Sequence, residues 1–309
     1  MKFLSEKEIE EQYKMKDGIE DIKKILADLK HNKVISKERT VIEIGGTNNT
    51  MLYMPCVNIS SNFSILKTIS IFPENNNKPV SQGMTLLSDL NNGEHLATLE
   101  SSYLTRLRTG AMSAIATDKL TNDKASILAV IGTGGMAFEQ VLGILEVRDI
   151  KEINLFNRTK EKAENFKKSL KEQGVKSDIN IVDSSKKAVE NADIINCATR
   201  SEVSVFDFKD IKLNVHINGV GSYLPEMREI DIDAIENAEV IVLDDLDGAK
   251  HEAGEFIKAE KENKFSFENA VELKDIDIIE DKKGITIFKS VGAAYYDLAV
   301  TVGAYEKLN

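Results

Sequence analysis

The chain has 309 residues, of which 42% are hydrophobic and 29% charged, and this composition favours two globular domains and excludes a low-complexity or collagen-like protein. Its net charge of −11 opposes binding to a phosphate backbone, so we expect no nucleic-acid partner. The cysteines Cys56 and Cys197 lie far apart without metal-ligand spacing, so we expect free thiols and no metal site.

The N-terminal segment is charged from its second residue, and the chain holds no apolar run of signal-peptide or membrane-span length. We therefore expect a cytoplasmic protein that does not enter a membrane. Ser5 and Glu8 form a capping-box pattern. A stronger helix follows in DGIEDIKKILADL, whose apolar side chains share one face and need a surface to cover.

Residues 40 to 98 change to short β-prone runs separated by turn-forming segments such as GGTNN, PENNNKP and NNG. The runs are TVIEI, MLYMPCVNI, FSILKTISIF, MTLLSDL and EHLATLE. This pattern predicts an antiparallel, hairpin-rich sheet with a helix packed on it.

The next segment, RLRTGAMSAIATDKL, has the small and apolar residues of a tightly packed helix. From Ile127 onward strands alternate with helices, and the predicted strands are ILAVI, EINLF, INIV, ADIINCA, NVHINGV and AEVIVLD. Strands spaced in this way need right-handed crossovers and form a parallel, doubly wound sheet.

The C-terminal segment GITIFKSVGAAYYDLAVTVGAYEKL reads as one more strand followed by a long apolar-faced helix, which we expect to pack on the first domain. We therefore predict a doubly wound α/β domain of residues 113–286 inserted into an α+β domain of residues 1–112 and 287–309.

A nucleotide-binding signature follows the first strand of the inserted domain. Gly132, Gly134 and Ala137 give G-x-G-x-x-A, in which the glycines allow a tight turn and a close approach of pyrophosphate, and the alanine lets helix meet strand. A purely structural glycine turn is the alternative. The predicted cofactor-binding residues are Gly132, Thr133, Gly134, Gly135, Met136 and Ala137.

The second strand of the inserted domain ends at Asn157, Arg158 and Thr159, where the dinucleotide fold places the residue that contacts the ribose. A carboxylate there would repel a 2′-phosphate, whereas an amide, a guanidinium group and a hydroxyl favour one. We therefore expect NADP(H) to be preferred, with NAD(H) possible. The alternative is that Arg158 pairs with a surface glutamate of the next helix.

Five segments, taken together and in order, resemble the ornithine cyclodeaminase and mu-crystallin family. They are LTRLRTGAMSAIATDKL, IGTGGMA, NRTKEKAENF, HINGVGSYLPEMREID and IFKSVGAAYYDLA. The resemblance covers nearly the whole chain, with compatible spacing. The resemblance implies a Rossmann domain inserted into a substrate-binding and dimerisation domain, and hence a homodimer. It also implies an enzyme that acts on amino acids or their imines, as cyclodeaminases, archaeal alanine dehydrogenases and ketimine reductases do.

The resemblance assigns Arg39, Lys67 and Arg108 to a clamp for the substrate carboxylate, with Lys67 and Arg108 as catalytic residues. A small amino or imino acid offers one charged group, and a guanidinium group binds it with two hydrogen bonds. Arg106 and Arg108 are two apart on a helix and point in different directions, and Arg108 precedes Thr109 as in the family pattern. The alternative for Lys67 is a lysine that faces water.

The resemblance adds cofactor-binding residues at the carboxyl ends of predicted strands or just beyond them, where doubly wound sheets bind ligands. They are Thr109, Cys197, Ala198, Thr199, Val220, Ser290 and Gly292. For each of them a turn or packing role is the alternative.

One position departs from the cyclodeaminase pattern. Cyclodeaminases of the family carry an aspartate shortly after the GVG strand, whereas GVGSYLPEMRE places Tyr223 there, as a residue that contacts the substrate. A tyrosine is a poor base at neutral pH and serves as a hydrogen-bond donor. Glu226 and Glu229 are nearby, but their spacing after Pro225 indicates a loop and a helix start, where carboxylates favour the helix dipole.

The favoured function is an NAD(P)H-dependent oxidoreductase of a small imino or amino acid, of the ketimine reductase or amino-acid dehydrogenase type. Two alternatives stay open. One is an ornithine cyclodeaminase, which forms proline and ammonia while NAD is recycled. The other is a nucleotide-gated small-ligand-binding protein like mu-crystallin, although a binder of hydrophobic ligands has little use for three buried cations.

Overall fold

A computed structural model describes residues 1–280 and 283–309, and the chain divides into two compact units. The first unit comprises Met1–Arg108 and Ala293–Asn309, and the second comprises Thr109–Gly292. Among the described residues, no helix is long and apolar enough to cross a membrane.

Seven strands form the sheet of the first unit. They are β1 (Lys2–Leu4), β2 (Val34–Ser36), β3 (Thr40–Glu43), β4 (Thr50–Asn58), β5 (Phe63–Ile71), β6 (Ser81–Asp89) and β7 (His95–Glu100). Their order is β1-β7-β6-β5-β4-β2, with β3 also paired to β4, and all pairs are antiparallel except β1 with β7. The strands expected between residues 40 and 98 are present; β1 and β2 are too short to show an alternating pattern.

The helices of the first unit are α1 (Glu6–Gln12), α2 (Met15–Lys30), the first turns of α3 (Ser102–Leu120) and α10 (Ala294–Lys307). Ser5 and Glu8 form the capping box that begins α1. Helix α10 packs on β4 and β5, and the apolar face of α2 packs chiefly on α10 rather than on the sheet as expected. Because it lies between a sheet and another helix, α10 is buried on nearly every side.

Among the residues that the structure describes, eight parallel strands form the sheet of the second unit. They are β8 (Ile127–Ile131), β9 (Glu152–Phe156), β10 (Asp178–Ile181), β11 (Ile194–Cys197), β12 (His216–Gly219), β13 (Ala238–Leu243), β14 (Val271–Glu272) and β15 (Ile285–Lys289). Their order is β10-β9-β8-β11-β12-β15-β13-β14. The order reverses between β8 and β11, so the carboxyl ends of these two strands mark the point where doubly wound sheets bind ligands.

In the described part of the chain, the connections of this sheet carry six α-helices, which are α4 (Ala137–Val147), α5 (Lys160–Glu172), α6 (Ser185–Val189), α7 (Ile232–Glu236), α8 (Leu246–Glu252) and α9 (Gly254–Lys261). All six strands predicted for the inserted domain are present. Both cysteines are free thiols and both are buried, Cys56 on β4 and Cys197 on β11.

The two boundaries placed from the sequence, at 112/113 and 286/287, differ from the divisions of the structure. The first division falls earlier in α3, between Arg108 and Thr109. The second falls after β15, which pairs with β12 and β13 and has all five residues buried, as an inner strand of a parallel sheet requires. Residues 287–289 therefore lie in the second unit, and α10 lies in the first.

Arg148 caps the C-terminal end of α3. Its guanidinium group donates hydrogen bonds to the carbonyl oxygens of Asp118 at 2.6 Å and Thr121 at 3.3 Å, and to the Thr121 hydroxyl at 2.7 Å. The residue is 7% exposed. A buried cation therefore satisfies carbonyl groups that have no partner within the helix.

Replacing Arg148 with methionine is expected to lower the free energy of unfolding by about 3 kcal/mol, because the buried carbonyl groups lose their donors. Urea denaturation followed by circular dichroism measures the change. The matched control is Lys151→Met, since Lys151 pairs with Asp149 on the surface and its loss should change the free energy by about 0.5 kcal/mol or less. Equal effects of the two substitutions would contradict the capping role.

Candidate active site

Lys67 lies on β5 with its side chain turned into the first unit. The side chain is 1% exposed, and its amine donates hydrogen bonds to Asp297 Oδ1 and to Thr105 Oγ1, both at 2.6 Å. Lys67 is therefore not the solvent-facing lysine that the sequence left open. A lysine is rarely buried unless a partner compensates its charge, and here Asp297 on α10 does so.

The two arginines of α3 point in different directions, as their spacing predicts. The Nε atom of Arg108 lies 3.4 Å from Asp297 Oδ1, and its side chain is 8% exposed. Arg106 instead pairs with Glu6 at 3.1 Å and is 26% exposed. Arg108 alone of the two therefore joins Lys67.

Arg39 completes a cluster of three cations around one carboxylate. It lies half-buried in the segment between β2 and β3, and its charge acts on both Lys67 and Asp297. The three residues assigned to the carboxylate clamp thus lie together, and we call Arg39, Lys67, Arg108 and Asp297 the cation cluster. Guanidinium and ammonium groups are the side chains that bind a carboxylate best, so this arrangement suits the binding of an anion.

Burial and neighbouring charges set the pKa values in the cation cluster. Burial lowers the pKa of Lys67 to about 8; the attraction of Asp297 opposes this shift, and the repulsion of Arg108 adds to it. Burial raises the pKa of Asp297, but the charges of Lys67 and Arg108 outweigh burial and hold it below its ordinary value. Asp297 is therefore a carboxylate at neutral pH, and Lys67 titrates close to the physiological range.

The glycine turn after β8 has the shape of a phosphate cradle. Gly132 has a φ of 87°, and a Cβ atom there would lie 2.8 Å from the carbonyl oxygen of Ala198. At Gly134 and Gly135 a Cβ atom would meet nothing within 4 Å, so their backbone borders open space. The buried Thr133 hydroxyl has no hydrogen-bond partner among the described residues.

The first turn of α4 begins at Ala137 directly after this cradle, and Met136 precedes it with no side-chain cap. Backbone N–H groups at a helix start are unsatisfied donors that bind phosphate groups. The turn Gly132–Ala137 therefore fits the pyrophosphate of a dinucleotide.

Asn157, directly after β9, connects the glycine turn to the loop that follows β9. Its Oδ1 accepts from the backbone N–H of Thr133 at 3.1 Å, and its amide group donates to the carbonyl oxygen of Thr159 at 2.9 Å. Arg158 and Thr159 are exposed beside it. Asn157 therefore fixes the backbone of the glycine turn and of the loop after β9. The side chains that this loop exposes are those of Arg158 and Thr159.

Glu229 links the loops that follow β11 and β12. It is fully buried, and its carboxylate accepts from the backbone N–H groups of Thr199, Gly221 at 2.6 Å and Ser222 at 3.0 Å. The interpretation of Glu229 as an acid at a loop and helix start is wrong, because three backbone donors hold it inside the unit. Burial raises its pKa.

A buried ion pair lies next to this link. The amine of Lys289, at the end of β15, donates to the carbonyl oxygen of Ser222 at 2.6 Å and to Glu255 at 3.0 Å. Cys197 and Val220 are buried nearby, Cys197 completely and Val220 with 6% exposure, and Ala198 is half-buried. The thiol of Cys197 is neutral because burial raises its pKa well above the ordinary value.

Asp244 fixes the loop that follows β15. The Ser290 hydroxyl donates to it at 2.7 Å, as do the backbone N–H groups of Gly292 at 2.7 Å and Val291 at 3.1 Å. Gly292 has a φ of 86°, which a side chain would disfavour. Ser290 and Gly292, both expected near the cofactor, are thus held in one conformation by a buried carboxylate.

The two remaining predicted residues are Tyr223, in the loop after β12, and Thr109, on α3. Tyr223 is half-buried, and the guanidinium carbon of Arg200 lies 5.9 Å from the centre of its ring. Thr109 is 2% exposed on α3, at the start of the second unit.

Three carboxylates were not predicted as site residues: Asp297, Glu229 and Asp244. Asp297 had a usable signal, since it is the one charged residue in the apolar run AAYYDLAV. Asp244 ends the apolar strand AEVIVLD, a position where a polar residue in this fold often faces a loop. Glu229 had no such signal, because its partners are backbone N–H groups of other loops.

Comparison with known proteins places these features in one family. The model of the ornithine cyclodeaminase/mu-crystallin family matches residues 1–309. A Δ1-pyrroline-2-carboxylate reductase of Bacillus cereus is 37% identical over 291 residues, which cover 91% of this chain and 89% of the relative. Rat ketimine reductase mu-crystallin is 29% identical over 275 residues, with 88% and 85% covered.

Solved structures agree with these matches. The Δ1-pyrroline-2-carboxylate reductase of Thermococcus litoralis, in complex with NADH and L-proline, superposes with a TM-score of 0.93 and 31% identity, covering 99% of this chain and 97% of that one. An archaeal alanine dehydrogenase dimer with bound NAD gives a TM-score of 0.91 at 25% identity, covering 99% and 95%.

These matches confirm the predicted fold class, a doubly wound Rossmann domain inserted into an α+β domain, and the predicted activity class, an NAD(P)-dependent oxidoreductase. From the full-length match and the identity to its reductases, the chain belongs to the ornithine cyclodeaminase/mu-crystallin family.

Proposed function

We propose that this enzyme reduces a small cyclic α-imino acid of the pyrroline-2-carboxylate type to the corresponding amino acid. The observation that carries the proposal is the cation cluster, in which buried Lys67 and Arg108 share Asp297 and the charge of half-buried Arg39 acts on the same groups. A substrate with a carboxylate offers these cations an anionic group to bind. The 37% identity to a pyrroline-2-carboxylate reductase supports the same substrate class.

The three cations of the cation cluster divide two roles between them in this proposal. Arg39 and Arg108 bind the substrate carboxylate, and the planar fork of Arg108 orients it with two hydrogen bonds. Lys67 holds a proton on its amine, which has a pKa of about 8, and donates it to the imine nitrogen directly or through a water. A bound nicotinamide dinucleotide supplies the hydride that the imine carbon receives.

The second unit, Thr109–Gly292, is the proposed dinucleotide-binding domain, and the first unit is the proposed substrate domain. The glycine turn after β8 holds the pyrophosphate by backbone N–H groups, and Thr133 is placed to donate its unpartnered hydroxyl. Glu229 and Asp244 keep the loops after β11, β12 and β15 rigid, so the residues on these loops are preorganised for the cofactor.

We further propose that NADP(H) is preferred over NAD(H), because the loop after β9 exposes Arg158 and Thr159 where NAD enzymes carry a carboxylate. Arg158→Ala is expected to weaken NADPH binding about tenfold and to leave NADH binding nearly unchanged, since the guanidinium group contacts only the 2′-phosphate. Fluorescence titration with each nucleotide measures both constants.

The control for this substitution is Lys168→Ala, which removes an exposed cation of 75% side-chain exposure in the second half of α5. It should change neither constant. Tighter binding of NADH than of NADPH by the unaltered enzyme would contradict the preference.

We also propose a homodimer. The apolar side chains that the first unit exposes on its strands include Ile35 at 53%, Val41 at 51% and Ile42 at 49%. Exposed apolar strands favour burial in an interface. Analytical ultracentrifugation decides between a monomer and a dimer.

The proposed activity is tested by incubating cyclic and linear α-imino acids with NADPH or NADH and following nucleotide absorbance. Oxidation of the nucleotide by a cyclic imino acid is the expected result. Ornithine is assayed in parallel for ammonia, because release of ammonia without net nucleotide oxidation would identify a cyclodeaminase and overturn the proposal.

A further inference from the structure

Asp297 lies at the centre of the cation cluster, on the buried helix α10. Its Oδ1 atom accepts a hydrogen bond from the Lys67 amine at 2.6 Å and lies 3.4 Å from Arg108 Nε. The side chains of these three residues are between 1% and 8% exposed. One carboxylate oxygen therefore positions two cations from different elements, one on β5 and one on α3.

The charged groups that act on Lys67 come from three elements. Asp297 reaches it from α10, Arg108 from α3, and Arg39 from the segment between β2 and β3. Cys56 on β4 also lies within the field of Asp297, but its thiol is neutral because burial raises its pKa to about 12. Asp297 is thus the group whose charge favours the protonated amine, and the two arginines oppose it.

A buried ammonium group beside two guanidinium groups loses its proton readily, because burial and repulsion both favour the neutral amine. A carboxylate at hydrogen-bond distance reverses part of this effect. A neutral Lys67 amine would neither attract a substrate carboxylate nor hold a proton for an imine nitrogen. The state of Lys67 therefore depends on Asp297.

We propose that Asp297 is a positioning residue of the clamp, which orients Lys67 and Arg108 and keeps the Lys67 amine protonated while the substrate binds. The inference rests on the proposed function and deepens it. Protonated Lys67 is the active form, so kcat/KM falls as the pH rises through the pKa of Lys67. Loss of the Asp297 charge moves that fall to lower pH.

The test is the pH profile of kcat/KM for Asp297→Asn. The alkaline limb is expected near pH 8 in the unaltered enzyme and at least about one pH unit lower in the variant, so that activity above pH 8 falls by a further factor of about ten. Asp297→Ser removes the same charge from a smaller side chain and is measured alongside, in case the amide does not fit. Asp297→Glu retains the charge, so the alkaline limb of its pH profile should stay where it is in the unaltered enzyme.

The matched control is Thr301→Val, one turn further along the buried face of α10. Thr301 is 1% exposed, and this substitution changes the shape of the side chain little and removes no charge. It should leave the alkaline limb in place. An unchanged limb in both charge-removing variants, or an equal shift in Thr301→Val, would overturn the positioning role.

An NMR titration of protein labelled with ¹³C-lysine gives a readout that needs no substrate. The Lys67 signal is identified by its absence in Lys67→Arg, and its pKa should fall in Asp297→Asn. A lowered pKa together with no imino-acid reduction would reject the proposed function alone. An unchanged pKa would reject the role of Asp297 whatever the substrate is.

Discussion

Arg108→Ala is expected to lower kcat/KM for a cyclic imino acid at least about 100-fold, with a higher KM and a lower kcat. A charge-assisted, bidentate contact to a carboxylate is worth roughly 3 kcal/mol in a buried site, and its loss also frees the substrate to rotate. The side chain of Arg108 is 8% exposed and shares Asp297 with Lys67, so no water replaces it readily. Steady-state kinetics with a saturating nucleotide measures the effect.

Arg106→Ala is the matched control, since it removes an arginine from the same helix. Arg106 is 26% exposed and pairs with Glu6, so its loss should change kcat/KM less than about threefold. Dinucleotide affinity, measured separately by fluorescence, should stay unchanged in both variants. A loss of dinucleotide affinity alone in Arg108→Ala would place Arg108 outside the carboxylate clamp.

Gly221→Ala is expected to destabilise the second unit by about 3 kcal/mol and to weaken dinucleotide binding. An added Cβ atom would lie 2.2 Å from both the backbone nitrogen and the backbone oxygen of Thr199, and the nitrogen cannot move without breaking its hydrogen bond to Glu229. Thermal and urea unfolding measure the stability, and fluorescence titration measures the affinity.

Gly135→Ala separates the effect of a glycine on stability from its effect on dinucleotide binding. A Cβ atom at this position meets nothing within 4 Å, so the stability should change little, while about tenfold weaker dinucleotide binding is expected because the methyl group projects into the cradle. If Gly135→Ala destabilised the protein as much as Gly221→Ala, the distinction between a packed glycine and an open one would be wrong.

Much of the architecture was predictable because hydrophobic periodicity reports which faces are buried. The five runs between residues 40 and 98 and the six strands after Ile127 lie where the pattern placed them. Strands of three residues, such as β1 and β2, carry too few positions to show a period. The position of β15 between β12 and β13 was not predictable, because strand order is a tertiary property.

The cation cluster was likewise predictable from the sequence only in part. Arg39, Lys67 and Arg108 were identified from the family resemblance, and the structure brings them together, yet their common partner Asp297 lies 230 positions from Lys67 in the chain. The place of Asp244 after an apolar strand indicates a loop-facing residue, but the sequence does not identify its partners. Glu229 and Asp244 both accept from backbone N–H groups, which every residue except proline carries. Buried carboxylates that organise loops are found only when coordinates pair donor with acceptor.

The burial of both thiols has a consequence for the chemistry that the enzyme tolerates. Cys56 has a pKa raised to about 12 and Cys197 one raised well above its ordinary value, so the thiolate that peroxides and alkylating agents attack is scarcely populated. Oxidants should therefore reach these sulfur atoms only when the surrounding strands open. Inactivation by such reagents would report local unfolding of β4 or β11 rather than damage to the folded enzyme.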